Sequence, residues 1–149
     1  MNVVVSTVAP EDVRSLRGFL EEAWRDGESL PEDFLGRLRG AVESGELEIL
    51  AASMEGRTVG SAVISYRPNV SAAADFASIE ELYVRPEARR RGVGRMLLEA
   101  VEERCVDRGV SYVEVQTDDE AQAFYEAVGY EAEPGVRVMA RSLLITSEE

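Results

Sequence analysis

The sequence predicts a mixed α/β (α+β) domain, and three observations carry that prediction. The chain has 149 residues, which is enough for one domain and not for two. Apolar residues make up 45% of it, so a core can form. Stretches typical of strands alternate with stretches whose apolar residues recur at helical spacing. We therefore predict one domain over residues 1–149 with the order β-α-α-β-β-β-α-β-α-β.

The first half begins with a strand and two helices. Residues 2–8 are rich in β-branched side chains, which is typical of a strand. The stretches that follow Pro10 and Pro31 both start with acidic residues and continue with apolar residues at helical spacing. Residues 47–54 and 58–66 are two apolar runs around a short turn with glycine, which predicts a β-hairpin.

The second half alternates strands and helices. Its clearest helical pattern ends at Gly109, and Cys105 lies on the apolar face of that helix. We interpret Cys105 as a core residue rather than as a nucleophile. The predicted elements are a strand at 76–84, a helix at 92–109, a strand at 110–116, a helix at 118–129 and a last strand at 136–144.

The spacing of apolar residues predicts a β-bulge in the strand at 76–84. Ile79 and Leu82 are three residues apart, whereas Leu82 and Val84 are two apart, so a regular strand cannot bury all three on one face. A bulge at Glu80 or Glu81 would restore one apolar face. Alternatively, helices cover both faces of the sheet and no alternation is required.

The net charge and the absence of histidine limit the classes of function that the chain can have. A net charge of −13 would repel a duplex nucleic acid and attract a cationic amine, although acidity also simply keeps a protein soluble. The chain has no histidine, which excludes Ser-His and Cys-His nucleophiles and imidazole-based zinc sites. We expect no metal, no nucleic acid and no membrane partner. No apolar run approaches membrane-spanning length and no signal-peptide pattern is present, so we expect a cytoplasmic location.

The stretch from Arg89 to Gly94 gathers positive charge and small residues where a strand gives way to a helix. The unpaired N–H groups of a helix N-terminus bind phosphate, and Gly92 and Gly94 would let backbone approach an anion closely. This pattern indicates a pyrophosphate site beside the three arginines. Alternatively, it is a solvated basic turn whose glycines ease packing. It matches neither the dinucleotide nor the nucleoside-triphosphate fingerprint.

Two motifs resemble those of the GCN5-related N-acetyltransferases, the GNAT family. Arg89-x-x-Gly92-x-Gly94 matches the family's Arg/Gln-x-x-Gly-x-Gly/Ala motif, and the later segment "AQAFYEAVGYEAE" resembles its second signature. The residues that match in the second signature are Phe124, Tyr125, Gly129 and Tyr130. The predicted element order agrees with the family over essentially the whole chain. The resemblance implies a mixed, mostly antiparallel central sheet with helices on both faces.

The resemblance also implies that acetyl-coenzyme A is the acetyl donor. Backbone N–H groups from Arg90 to Arg95 would hold the pyrophosphate, and the strand at 82–84 would pair with the pantetheine arm. Where family members often have Asn, this chain has Asp118, which caps helices well but has no amide donor. The residues that the resemblance assigns to the donor are Leu82, Tyr83, Val84, Arg89, Arg90, Arg91, Gly92, Val93, Gly94, Arg95, Asp118 and Phe124.

Acetyl transfer needs a base, because an amine attacks the thioester only when it is neutral. Glu80 and Glu81 lie on the strand beside the implied thioester site, and either could act as the base or hold a water. We expect the two to point to opposite faces, so that only one serves. Alternatively, they pair with arginines or face solvent. In the family, the tyrosine that matches Tyr125 protonates the departing thiolate; alternatively, Tyr125 only packs beside Phe124.

The resemblance implies an N-acetyltransferase that acts on a primary amine of a small molecule or peptide, and family habit implies a homodimer. The alternative is a coenzyme A-binding sensor or regulatory module without turnover. Acidic side chains in the first two helices and the following loop could attract a cationic acceptor, or could be ordinary solvated surfaces. These acids are Glu21, Glu22, Asp26, Glu28, Glu32, Asp33 and Asp75.

Overall fold

The computed structural model describes residues 2–143 of the chain. They fall into two compact units, which divide between Val115 and Gln116. No helix within residues 2–143 is both long enough and apolar enough to cross a membrane. The helices and strands are β1 (Val3–Thr7), α1 (Arg17–Trp24), α2 (Glu32–Ser44), β2 (Leu47–Met54), β3 (Arg57–Asn69), β4 (Ala74–Val84), α3 (Val93–Asp107) and β5 (Val113–Val115) in the first unit, and α4 (Asp119–Ala127) in the second.

The five strands form one sheet in the order β1-β2-β3-β4-β5. Neighbouring strands are antiparallel, except that β4 and β5 are parallel. Glu55 (φ 53°) and Gly56 (φ 75°) connect β2 to β3, and two successive left-handed residues are typical of the tight turn in a hairpin. The predicted mixed, mostly antiparallel sheet is therefore confirmed.

Helices cover both faces of this sheet. Ile49 of β2 is fully buried in an apolar cluster with residues of α1 and α2, and Val63 of β3 packs against that cluster. On the opposite face, Gly60 of β3 lies against Val93 and Leu97 of α3. We call the first surface the α1/α2 face and the second the α3 face.

The predicted bulge is present in β4. Val63 lies opposite Glu81, but the next residue of β3 lies opposite Ile79, so Glu80 is left without a partner. The extra residue turns Ile79 and Leu82 to the same face of the sheet, which is the α3 face. The prediction is confirmed, and Glu80 is the bulged residue.

A buried ion cluster joins β2 and β3 to α3. Glu48 accepts hydrogen bonds from Arg104 (2.6 Å) and from the Tyr66 hydroxyl (2.6 Å). Burial acts to raise the pKa of Glu48, but these two hydrogen bonds outweigh it and hold that pKa below its usual value. Cys105, next to Arg104, is 2% exposed, and burial raises the pKa of its thiol. The core position predicted for Cys105 is confirmed.

The prediction of a last strand at 136–144 is wrong for the residues that the structure describes. Residues 136–143 form neither helix nor strand, and Leu144 lies outside the described residues. The prediction rested on apolar and β-branched content, but Val136, Val138 and Met139 are 61%, 66% and 90% exposed. A strand needs a neighbour for its backbone groups, and no described strand pairs with this segment. The rest of the element order agrees with the prediction.

Candidate functional site

The segment between β4 and α3 contains two residues with left-handed backbone. They are Arg90 (φ 64°) and Gly92 (φ 79°), and Gly92 directly precedes the first residue of α3. A Cβ at Gly92 would meet no described atom within 4 Å beyond its chain neighbours. Backbone conformation, rather than lack of space, therefore favours glycine at this position.

The N-terminus of α3 has no negative charge of its own. Among the described residues no side chain caps it, and its first turn has no acid, whereas α2 and α4 each begin with two acids. The first N–H groups of a helix have no acceptor within the helix and carry partial positive charge. Arg90, Arg91 and Arg95 are exposed on either side of this helix start. The predicted anion-binding turn therefore has a suitable structure.

Arg89 closes this turn against the end of β4. Its Nε donates a hydrogen bond to the carbonyl oxygen of Val84 (2.8 Å), and its guanidinium carbon lies 5.8 Å from the centre of the Tyr83 ring. The side chain that matches the first position of the family motif thus fixes the shape of the turn.

Gly60 of β3 also shapes the site, and it was not among the predicted site residues. A Cβ at Gly60 would lie 3.0 Å from the carbonyl oxygen of Tyr83, 3.2 Å from Leu97 and 3.3 Å from Val93. Glycine therefore allows the first turn of α3 to approach the sheet where β4 ends. A glycine inside an otherwise regular strand pattern is the signal that could have indicated this close approach.

The edge of β4 is open beyond the bulge. β5 pairs only with residues 77–79 of β4, where Val115 lies opposite Ile79. No described strand pairs with residues 82–84 on the β5 side, although β3 pairs with them on the other side. Apart from the Val84 carbonyl oxygen, which accepts the hydrogen bond from Arg89, their backbone groups on that side have no strand partner among the described residues, which suits the extended ligand that the resemblance implies for Leu82, Tyr83 and Val84.

The two candidate bases lie on the same face of the sheet, and the expectation that they point to opposite faces is wrong. Glu81 lies opposite Val63, and Glu80 accepts a hydrogen bond from the hydroxyl of Ser65, two residues further along β3. Val63 and Ser65 share the α1/α2 face because strand side chains alternate. The bulge interrupts that alternation in β4. Burial, and then the charge of Glu80, raise the pKa of Glu81.

In the second unit, Tyr125 lies in an aromatic group on and after α4. It is buried, and its ring centre lies 5.2 Å from that of Phe124 and 5.6 Å from that of Tyr130. Asp118 caps α4 by accepting a hydrogen bond from the Ala121 N–H (2.8 Å). Burial, and then the charge of Asp118, raise the pKa of Tyr125. The phenol therefore keeps its proton at neutral pH.

Most of the acids considered as attractors for a cationic acceptor are already paired with arginines. In α1 and α2, Glu21 lies 2.9 Å from Arg17, and Glu32 lies 2.5 Å from both Arg14 and Arg17. The structure therefore favours a structural role for these acids. Within residues 2–143, no group of three or more acidic or cysteine side chains is placed to hold a metal ion. The other paired acids are Glu22 with Arg85, Glu28 with Arg25, and Asp33 with Arg37.

The sequence matches one protein family over most of its length. A model of the acetyltransferase (GNAT) family matches residues 13–130. Mycothiol acetyltransferase from Clavibacter sepedonicus is 31% identical over 121 residues, which are 81% of this chain and 38% of that relative. The chain therefore spans well under half the length of this relative.

Solved acetyltransferases share the fold. An aminoglycoside acetyltransferase from an uncultured soil metagenomic sample is 25% identical with a TM-score of 0.82, over 98% of this chain and 100% of that one. AAC(6')-Iy, solved with the bisubstrate analogue CoA-S-monomethyl-acetylneamine, is 21% identical with a TM-score of 0.78, over 97% of this chain and 100% of that one. The predicted fold class is therefore confirmed.

Proposed function

This chain belongs to the acetyltransferase (GNAT) family, and from that we propose that it is an N-acetyltransferase, which moves the acetyl group of acetyl-coenzyme A to a primary amine of a small molecule or peptide. One observation carries the proposal: β4 parts from β5 after Ile79 and leads past a bulge into the turn before α3. A free strand edge beside an anion-binding helix start fits a donor that has an amide-bearing arm and a pyrophosphate.

We assign most of the contacts with acetyl-coenzyme A to backbone groups rather than to side chains. In this proposal the edge of residues 82–84 that has no strand partner bonds the pantetheine amides. The N–H groups of residues 90–95 include those at the start of α3, where no acid competes with a phosphate. Asp118 already caps α4, so its contact with the donor stays a prediction, as does that of Phe124.

Acetyl-coenzyme A supplies an activated acetyl group, and the chain has to move two protons. A glutamate of the bulge, Glu80 or Glu81, removes a proton from the amine, and Tyr125 returns one to the leaving sulfur. The raised pKa of Tyr125 supports its role as the acid, because a phenol that stays protonated at neutral pH can donate.

The acceptor that we propose is a small cationic amine. Two of the relatives described above, mycothiol acetyltransferase and an aminoglycoside acetyltransferase, are named after small molecules. A net charge of −13 would attract a cation, and within the described residues neither carboxylate of the bulge is paired with an arginine. A peptide amine is the other acceptor class. A single domain over residues 1–149, a homodimer and a cytoplasmic location stay predictions.

The test is release of coenzyme A thiol from acetyl-coenzyme A with a panel of amines: aminoglycosides, amino sugars, polyamines and peptide N-termini. We expect at least one class to give turnover well above the rate without acceptor. Gly94→Glu is the control, because it removes donor binding and leaves the glutamates and Tyr125 in place. Donor binding without turnover on any amine would favour a sensor, and absence of donor binding would contradict the proposal entirely.

A further inference from the structure

We propose that Ser65 of β3 is a positioning residue for proton transfer: its hydroxyl holds the Glu80 carboxylate beside Glu81, and Glu81 takes the proton from the attacking amine. The inference rests on the proposed function, which leaves the choice between the two glutamates open. Its basis is the hydrogen bond that crosses from β3 to the bulged residue of β4.

Because Glu80 is the bulged residue, contacts of its side chain, rather than strand pairing, determine the direction in which that side chain points. A residue in a regular strand has a partner opposite, which fixes the face to which it points. Glu80 has no such partner and is exposed, so without a further contact its flexible side chain would extend into solvent. The hydroxyl of Ser65 is the contact that directs the carboxylate of Glu80 to the α1/α2 face, where Glu81 also lies.

The two glutamates differ in burial, and that difference assigns their roles. Glu81 is half-buried, and burial followed by the charge of Glu80 raises its pKa. A general base works best when its pKa approaches the working pH, because an ordinary carboxylate is too weak a base to take a proton from nitrogen efficiently. Glu80 is exposed and already accepts the hydrogen bond from Ser65, so it supplies charge rather than proton transfer.

The hydrogen-bond partner of Glu80 is a neutral hydroxyl, whereas Glu114 and Glu22 on this face are paired with arginines. An arginine partner would cancel most of the charge of Glu80, whereas a serine hydroxyl leaves that charge to act on Glu81. α3, with its own ion cluster, lies on the opposite face of the sheet. Ionisable groups on this side include Tyr83 of β4, Glu114 of β5 paired with Arg67 of β3 (2.7 Å), and the ion pairs of α1 and α2, among them Glu22 with Arg85 (2.9 Å) and Glu21 with Arg17 (2.9 Å).

The acetyl carbon exchanges its bond to sulfur for a bond to the amine nitrogen, and sulfur leaves with the electron pair and takes up a proton. The nitrogen loses a proton, which passes to the carboxylate of Glu81 and then to water. Glu80 and Ser65 gain and lose nothing in the cycle.

The first test measures the pKa of Glu81 directly, by carbon-13 NMR titration of its side-chain carboxyl in the protein without substrate. Glu80→Gln should lower that pKa by about one unit, because it removes a like charge. Ser65→Ala should lower it by about half as much, because Glu80 is released towards solvent. Ser65→Thr keeps a hydroxyl and should restore the wild-type value. Ser78→Ala is the matched control, since Ser78 lies opposite Ser65 on β4 and should leave the pKa unchanged.

The second test is the pH dependence of kcat/KM with an amine that turns over. A base must be deprotonated to act, so the acid limb follows the pKa of Glu81 and should move to lower pH in Glu80→Gln and Ser65→Ala. Glu81→Gln should lower turnover by about 10²-fold or more. If the titration of Glu81 is the same in Ser65→Ala as in Ser78→Ala, the inference is overturned even though acetylation stands. A shifted titration in a protein that acetylates no amine upholds the electrostatic link and rejects the proposed function.

Discussion

The helices α3 and α4 begin in opposite ways, although each follows a strand of the sheet in the sequence. α4 satisfies its own N-terminus: Asp118 caps it, and Asp119 and Glu120 supply negative charge to its first turn. α3 has left-handed Gly92 as its N-cap, no side-chain cap among the described residues, and no acid in its first turn. Gly94 of α3 and Glu120 of α4 occupy the same second position of their helices.

The difference separates two ways in which a helix can serve a site. A helix whose start is already neutralised can contribute only side chains, and α4 contributes Tyr125 from its second turn. A helix whose start lacks both a cap and an acid can contribute its backbone to an external anion. We infer that α3 serves through its N–H groups and α4 through a phenol, and substitutions at the two helix starts can break that division.

The largest expected effect comes from giving α3 the acid that α4 has. Gly94→Glu should weaken binding of coenzyme A by about 100-fold or more, because like charge and bulk both oppose the pyrophosphate. The donor-free protein should be as stable as wild type or slightly more, since an acid in the first turn favours a helix. Titration calorimetry and thermal melts measure the two effects.

Two variants control for bulk and for position. Gly94→Gln has the bulk without the charge, and it should weaken donor binding less than Gly94→Glu. Glu120→Gly makes the reciprocal change in α4 and should leave the affinity for coenzyme A unchanged. Equal affinity in Gly94→Glu and wild type would mean that the start of α3 does not hold the phosphates.

A smaller effect is expected from the side chain that α4 contributes. Tyr125→Phe should lower turnover by about 10 to 1000-fold with little change in donor affinity, because a positioned acid is lost while the ring is kept. Steady-state rates beside a donor titration on the same variant give both numbers. An unchanged rate in Tyr125→Phe would return Tyr125 to a purely structural role.

The smallest effects concern the caps themselves. Asp118→Ala should destabilise the protein by about 1 kcal/mol, because the hydrogen bond to the Ala121 N–H is lost, and Asp118→Asn should retain most of that stability. Gly92→Ala should cost about 1 kcal/mol for a different reason, the left-handed backbone. Urea unfolding measures both. A fully stable Gly92→Ala would show that glycine is kept there for ligand contact rather than for conformation.

The parts of the site that depend on local sequence were predictable. The turn of Arg89, Gly92 and Gly94 lies between a strand and a helix as expected, because anion-binding helix starts have a local signature. The bulge was predictable from the spacing of Ile79 and Leu82, since burial on one face imposes a period of two along a strand.

The parts that depend on contacts between distant segments were not predictable. Ser65 directs Glu80 from a neighbouring strand, so the two glutamates were wrongly expected to diverge. Arg85 pairs with Glu22 across many residues, and no spacing along the chain indicates that pair. The prediction of the last strand was wrong for a related reason. The composition of residues 136–143 favours a strand, but a strand also needs a neighbouring strand, which composition does not reveal.

The central claim is that the uncapped start of α3 binds the pyrophosphate of the donor, and thermal unfolding with coenzyme A tests it most directly. Coenzyme A at about 100 times its dissociation constant should stabilise wild type by about 2.7 kcal/mol. Glu120→Gly should show the same gain, and Gly94→Glu should show almost none. Melting curves of wild type that are unchanged by millimolar coenzyme A, or an equal gain in Gly94→Glu, would contradict the account.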